Sequence, residues 1–387
     1  MTQQVHLLID THQSIGQEQA EFQGQHARGA WSVRMRTLRG GRSEGVRLVE
    51  IDNGTICIDV LPTRGMGIWR VRRGDKTLGW KPPIGEPVHP AFVPLMEPAG
   101  LGWLDGFNEL LCRCGLESNG PPEFDDDGRL LRPLHGRISN TPAHRVELLV
   151  AEDSGRLTVR GIVDEGRFHF QALRLTASIS TTIGSNEFSW DDEVTNIGGR
   201  DAIMQMLYHF NIGQPLLCPG ARVVAPLGTA APLSEIAAQE GIETWHIMPS
   251  PRPGSNEQVY VMDLASDAAG DTRVLVDGLA DGEALAMRLN KRNLPAFTVW
   301  RNTPAEADGY VVGIEPGTNF PNPRTFERQQ GRSVDLKPGE KWHAAVTIAW
   351  LTNPETIRDE QAWIAALQAK HQPNLMPAPR TGWSRHA

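Results

Sequence analysis

The sequence contains no run of about 18 consecutive apolar residues, so no segment reads as a membrane-spanning helix. Its beginning, Met1-Thr2-Gln3-Gln4-Val5-His6, lacks a basic stretch followed by an apolar core, so no secretory signal is read and a cytoplasmic location is expected. Basic blocks are missing as well. The 38 Lys and Arg are scattered among 46 Asp and Glu, for a net charge of −8, so nucleic acid is not an expected partner. Cysteine is scarce, with four residues: Cys57, Cys112, Cys114 and Cys218. A single residue separates Cys112 from Cys114, which is neither a redox motif nor a zinc knuckle; on a strand both thiols would share a face as buried free cysteines. No two histidines stand two or four positions apart, so no compact metal site is written and no metal is expected. Arg64-Gly65-Met66-Gly67 lacks the third glycine of a dinucleotide loop and follows a strand instead of opening a helix.

What is present is the composition of a folded protein, with 40% hydrophobic and 22% charged residues. Short β-type runs recur from about residue 30. Val46–Gly54 ends in Asn-Gly, a hairpin signal, and Thr55–Leu61 reads as its partner. Further strands are expected at 145–150, 156–163, 168–179, 187–194, 202–210, 258–264, 273–276, 284–289, 296–301, 309–314 and 342–351. Helical spacing is confined to 232–239 and 357–370. Many strands with few helices predict an all-β sandwich or supersandwich. The expected organisation is an N-terminal arm or short helix over 1–28, one β domain over 29–371 and a frayed, proline-rich tail over 372–387. Residues 81–109 carry six prolines together with Phe92, Trp103 and Phe107, and read as a long but ordered surface loop.

Three islands place an ionisable group where a strand meets a turn: Leu134–Pro142, Met206–Gly213 and Val312–Asn322. Pro316 biases Glu315 towards extended backbone, which holds its carboxylate at a strand end. His209, between Tyr208 and Phe210, faces away from both on a regular strand and shares its face with Asn211. Taken singly, each has a bland reading: a histidine among aromatics is more often packed than catalytic, and Glu before Pro-Gly is commonly a solvated turn.

Together the islands resemble the aldose 1-epimerase, or galactose mutarotase-like, family. His135-Gly136 resembles its Leu-His-Gly island, His209-Phe210-Asn211 its histidine strand with compressed spacing, and Glu315-Pro316 with Asn319 and Asn322 its late glutamate segment. Asp192–Gly198 and Val334–Trp342 fit flanking strands of that family. Thr63–Gly67 and Gly102–Glu109 are similar to a bacterial branch of largely unassigned function. The islands span roughly residues 45–351.

The resemblance implies a galactose mutarotase-like β-supersandwich that interconverts sugar anomers through the open chain. Such a reaction needs one acid and one base and no cofactor. It implies Glu315 as base at the anomeric hydroxyl and His209 as acid at the ring oxygen, on opposite sides of the sugar. His209 would then be charged at rest, with Asp191 or Asp192 as the carboxylate that raises its pKa. His135, Arg64 and Arg137 would bind sugar oxygens, Asn211 would join them on the His209 face, Asp105 and Asn108 would make branch-specific contacts, and Trp300 or Trp103 would stack on the pyranose. The surplus of arginines near the islands (Arg64, Arg137, Arg301, Arg324) fits an acidic sugar. Two other readings share this fold: a non-catalytic carbohydrate-binding or regulatory protein, and an isomerase or lyase acting at another sugar carbon.

Overall fold

Strict alternation of inward and outward side chains gives most strands one buried face. Along Glu187–Asn196, for example, Phe188, Trp190, Asp192, Val194 and Asn196 are buried and the residues between them are not. In the computed structural model, which describes residues 3–16 and 19–387, such strands form two large sheets, one of ten strands. The ten-stranded sheet is built around Arg145–Ala151, Arg156–Gly166, Ala172–Thr182, Glu187–Asn196 and Lys341–Leu351, all antiparallel neighbours. The larger sheet runs through Gln258–Leu264, Ala296–Asn302, Val311–Gly317, Ala202–Gly213 and Leu111–Leu116 and continues into Gly67–Arg73. The result is the all-β supersandwich expected from the sequence.

The main core lies between the sheets. From the larger sheet, Met204, Met206, Tyr208, Phe210 and Ile212 point into it and meet Trp190, whose ring centroid lies 5.8 Å from that of Phe210 and 5.5 Å from that of Tyr208. An ion pair with no exposed side-chain surface crosses this core. Arg113 donates from Nε to Asp192 Oδ2 at 2.6 Å and from Nη2 to Oδ1 at 2.9 Å. Asp192 is therefore committed to Arg113, and Asp191 contacts His343 at 2.9 Å, so neither is the expected partner of His209.

Helix is sparse. The longest, Pro354–Gln368, starts with Pro354 in its first turn and Asn353 accepting from the Glu355 amide, and buries Ile357, Ile364 and Leu367. Among the described residues no helix is long and apolar enough to cross a membrane.

Both ends of the chain depart from expectation. In place of an arm or helix, Gln3–Asp10 is an edge strand paired with Arg145–Ala151, and Gln19–His26 forms a hairpin with Gly29–Thr37. An edge strand buries little, so its glutamine-rich composition hides it; Leu8 and Ile9 are the anchors. The segment after residue 372 is docked and not frayed. Asn374–Leu375 pairs in parallel with Thr229–Ala230, Trp383 packs on Phe320 at 5.0 Å, and Ser384 is buried.

Candidate functional site

The strand Ala202–Gly213 turns Gln205, Leu207, His209 and Asn211 away from the inter-sheet core, opposite to Tyr208 and Phe210. On one side it pairs with Leu111–Leu116, which brings Cys112 opposite His209; both Cys112 and Cys114 are buried free thiols. On the other it pairs with Val311–Gly317, and the Phe210–Ile314 register sets Glu315 beside His209. The next strand, Ala296–Asn302, places Trp300 opposite Gly313. Gly313 is a matter of space: a Cβ there would lie 2.3 Å from Glu315 Oε1, so only glycine admits the carboxyl group in this position.

His209 and Glu315 are thus neighbours on adjacent strands, with Nε2 and Oε1 3.3 Å apart and both side chains almost fully buried. That approach is not aligned as a hydrogen bond, and Glu315 Oε1 has no hydrogen-bond partner. The other imidazole nitrogen is fixed. Asn211 spends its amide N–H groups on the carbonyls of Glu109 (3.0 Å) and His209 (3.2 Å), which turns Oδ1 towards His209 Nδ1 at 2.6 Å. An amide oxygen only accepts, so Nδ1 carries the proton and Nε2 of the neutral ring is a bare lone pair. His135 is set in the same way: its Nδ1 donates to the Asn119 carbonyl at 2.7 Å, leaving Nε2 free. Asn119 is held in turn by reciprocal amide bonds with Asn319 (3.0 and 2.9 Å).

The electrostatics follow from burial. Desolvation lowers the His209 pKa to about 3, helped by the neighbouring His135, and lowers that of His135 to about 4. Desolvation raises Glu315 well above the ordinary carboxyl range, and the negative charge of Glu257 adds to this. Both shifts favour the uncharged forms, an imidazole beside a carboxylic acid. This direction is opposite to the resting imidazolium that the resemblance implies.

The pair lines a cavity of about 670 Å³. Its aromatic wall is Trp103, Phe107 and Trp300, with centroids 6.1, 4.9 and 5.1 Å from that of His209, and His135 stands 5.6 Å away. At the rim the Trp300 indole N–H donates to Glu257 at 2.7 Å, which fixes the ring plane. Leu101 and Leu104, from the 81–109 loop, and Arg385 and His386, from the docked segment, complete the lining.

Residues 43–349 match the family described as a domain of unknown function, DUF4432. The chain belongs to that family. A candidate aldose 1-epimerase from Klebsiella pneumoniae is 32% identical to this DUF4432 chain and superposes with a TM-score of 0.92 over 98% of it and 99% of the other chain. The galactose mutarotase-like fold is shared with a protein of that description from Clostridium acetobutylicum (TM-score 0.55, 13% identity, 83% of this chain and 98% of that one). It is also shared with a galactose 1-epimerase from Lactobacillus acidophilus (TM-score 0.51, 12% identity, 82% and 98%). No functionally curated protein matches the sequence.

Of the residues singled out in this DUF4432 sequence, His209, Glu315, His135 and Trp300 meet in the cavity. Asn211 stands behind His209 and positions it. Arg64 is not at the site: its guanidinium is buried, donating from Nε to Glu109 at 2.8 Å and from Nη2 to the Gly106 carbonyl at 2.8 Å, with Asn140 as a third partner. These three bonds tie Gly106 and Glu109 to Asn140. Arg137 lies against Met96 Sδ at 3.5 Å, and neither it nor Asp105 lines the cavity. Asn108 is buried, and its amide donates to the Glu86 carbonyl at 2.5 Å. Arg301 lines a separate cavity of about 320 Å³ and donates to the Thr244 and Ile247 carbonyls, while Arg324 lies 3.7 Å from Glu117. The four arginines read as an acidic-sugar signal are therefore all used elsewhere. Glu257, Asn119, Arg385 and His386 were not singled out. For the last two, Leu375, Met376 and Trp383 were the available sign that the polar tail packs.

Proposed function

We propose that this protein is a sugar mutarotase, an isomerase that interconverts the anomers of a reducing sugar by acid–base ring opening and closure. The observation that carries the reading is the His209–Glu315 pair: a lone-pair nitrogen and an unpartnered carboxyl oxygen 3.3 Å apart in the lining of an aromatic-walled cavity. The two oxygens that must exchange protons in mutarotation, the anomeric hydroxyl and the ring oxygen, are bonded to the same carbon. An acid and a base side by side therefore suit the reaction, and the two need not stand on opposite sides of the ring.

The directions in which burial shifts the two groups support roles opposite to those the resemblance implies. His209 Nε2 takes the proton of the anomeric hydroxyl while Glu315 gives its proton to the ring oxygen. The bond from the anomeric carbon to the ring oxygen breaks and the aldehyde forms. After rotation about the neighbouring carbon–carbon bond the ring oxygen attacks either face of the aldehyde. Glu315 recovers its proton from that oxygen, His209 returns its own to the new anomeric hydroxyl, and the pair is restored. His135 Nε2 would accept from a sugar hydroxyl, and Trp300, clamped by Glu257, would stack on the apolar face of the ring.

Anomer exchange measured by NMR magnetisation transfer across a panel of aldoses and sugar acids tests this reading. The parent protein should accelerate exchange of at least one sugar. Glu315→Gln and His209→Asn should each slow it about 10²–10⁴-fold, the range of a lost general acid or base, while binding persists. If no sugar on the panel exchanges faster with the parent protein than without it, the enzyme assignment is lost.

A further inference from the structure

We infer that Arg385 and His386, at the edge of the cavity, make this a site for sugars carrying an anionic substituent, a carboxylate or phosphate, with Arg385 as the group that reads it. The inference rests on the mutarotase reading for the position of the anomeric end and adds the chemistry of the opposite end. Burial drives His209, Glu315 and His135 towards their uncharged forms. Glu257, a carboxylate at the rim, accepts from the Trp300 indole at 2.7 Å, a neutral donor that orients the group. Arg385 is different. Among the described residues no carboxylate pairs with its guanidinium, whose one hydrogen bond runs from Nε to His386 Nε2 at 3.3 Å. A permanent cation and a histidine, both solvent-exposed, therefore stand in the lining with no described carboxylate within ion-pair distance of the guanidinium, Glu257 being the carboxylate that shares the cavity.

The backbone that carries Arg385 is firmly seated. Asn322, itself a cavity residue, donates to the Trp383 carbonyl at 2.8 Å and accepts from the Arg385 amide at 3.3 Å. Its amide also donates to Glu327 at 2.7 Å, and Glu327 is a buried carboxylate forked by Arg332 at 2.6 and 2.7 Å. Ser384 Oγ donates to the Leu233 carbonyl at 2.6 Å and accepts from the His386 amide at 2.9 Å. The segment is thus fixed on both sides of Arg385. The cavity has room for such a group: about 670 Å³ corresponds to some 20 waters at roughly 30 Å³ each, well beyond the bulk of a simple pyranose.

The test uses the full chain and pairs of sugars that differ by one anionic group: glucose against glucuronate, galactose against galacturonate, and glucose against glucose 6-phosphate. Calorimetric affinities and NMR exchange rates are read for the parent, Arg385→Ala and Arg385→Lys. The parent should favour the charged member of at least one pair by about tenfold or more, the scale of one charge-assisted hydrogen bond. Arg385→Ala should collapse that ratio, Arg385→Lys should restore part of it, and added salt should shrink it. Carboxylate and phosphate preferences separate in the panel. Faster exchange with no Arg385-dependent preference for charge overturns this inference and leaves the mutarotase reading intact. Charge-dependent binding that Arg385→Ala removes, without faster exchange of any sugar, does the reverse.

Discussion

In the proposed acid–base pair, the behaviour of His209 and Glu315 depends on what the residues around them withhold. Asn211 fixes the tautomer, burial denies His209 its charge, and burial keeps a proton on Glu315. Each has a pH consequence of known sign. The native state holds the Glu315 proton where the unfolded chain has released it, so stability falls as pH rises above about 4.5 towards the native pKa. For His209 the unfolded ring takes a proton below about 6.5 that the native ring refuses down to about 3, so stability falls as pH drops through that window. Glu315→Gln removes the first dependence alone. Its melting temperature relative to the parent should climb from pH 4 to pH 8, by up to about 1.4 kcal/mol of stability per pH unit while the native acid stays protonated. A difference that is flat across this range would mean that Glu315 is ionised in the native state.

Among the elements, the 81–109 loop depends on a single buried hub. Arg64 joins Glu109, Gly106 and Asn140, and Trp103 adds a hydrogen bond to Ser139 at 2.9 Å, so the loop delivers Trp103 and Phe107 to the cavity wall as fixed surfaces. Arg64→Met leaves the Glu109 carboxylate buried without its partner and should cost about 3–5 kcal/mol in denaturant unfolding. A cost below about 1 kcal/mol would show that water reaches Glu109 instead. The contrast with the strands explains what could be read beforehand. Ala202–Gly213 and Val311–Gly317 declare themselves by β-rich runs, and they place His209 and Glu315 without further information. The loop has no period, and the sequence of Arg64 does not say whether its partner is a sugar or another part of the chain. Arg301 and Arg324 mislead for the same reason. Glu257 is silent because it follows the polar run Ser255-Asn256, and only the strand pairing of Gln258 with Arg301 brings it near Trp300.

At the scale of the whole molecule the two sheets make the fold, but the cavity is closed by pieces distant in sequence: the loop before Leu111, the turn at His135, the 233–236 corner and the 383–386 segment. The last is held by Trp383 on Phe320 and by the Asn374–Leu375 pairing. Trp383→Ala removes a half-buried ring and should cost about 2 kcal/mol, less than a fully buried tryptophan. It should also weaken sugar binding more than it lowers the melting temperature would suggest, because Arg385 loses its mooring. Equal affinities in the parent and the variant, measured by calorimetry, would detach the segment from recognition.

The bare backbone at position 313 has a steric consequence. With no side chain in between, the Glu315 carboxyl group packs directly against the strand backbone, and Gly313→Ala should push it away from His209. In the proposed mutarotase that displacement would part the acid from the base and slow exchange in both directions.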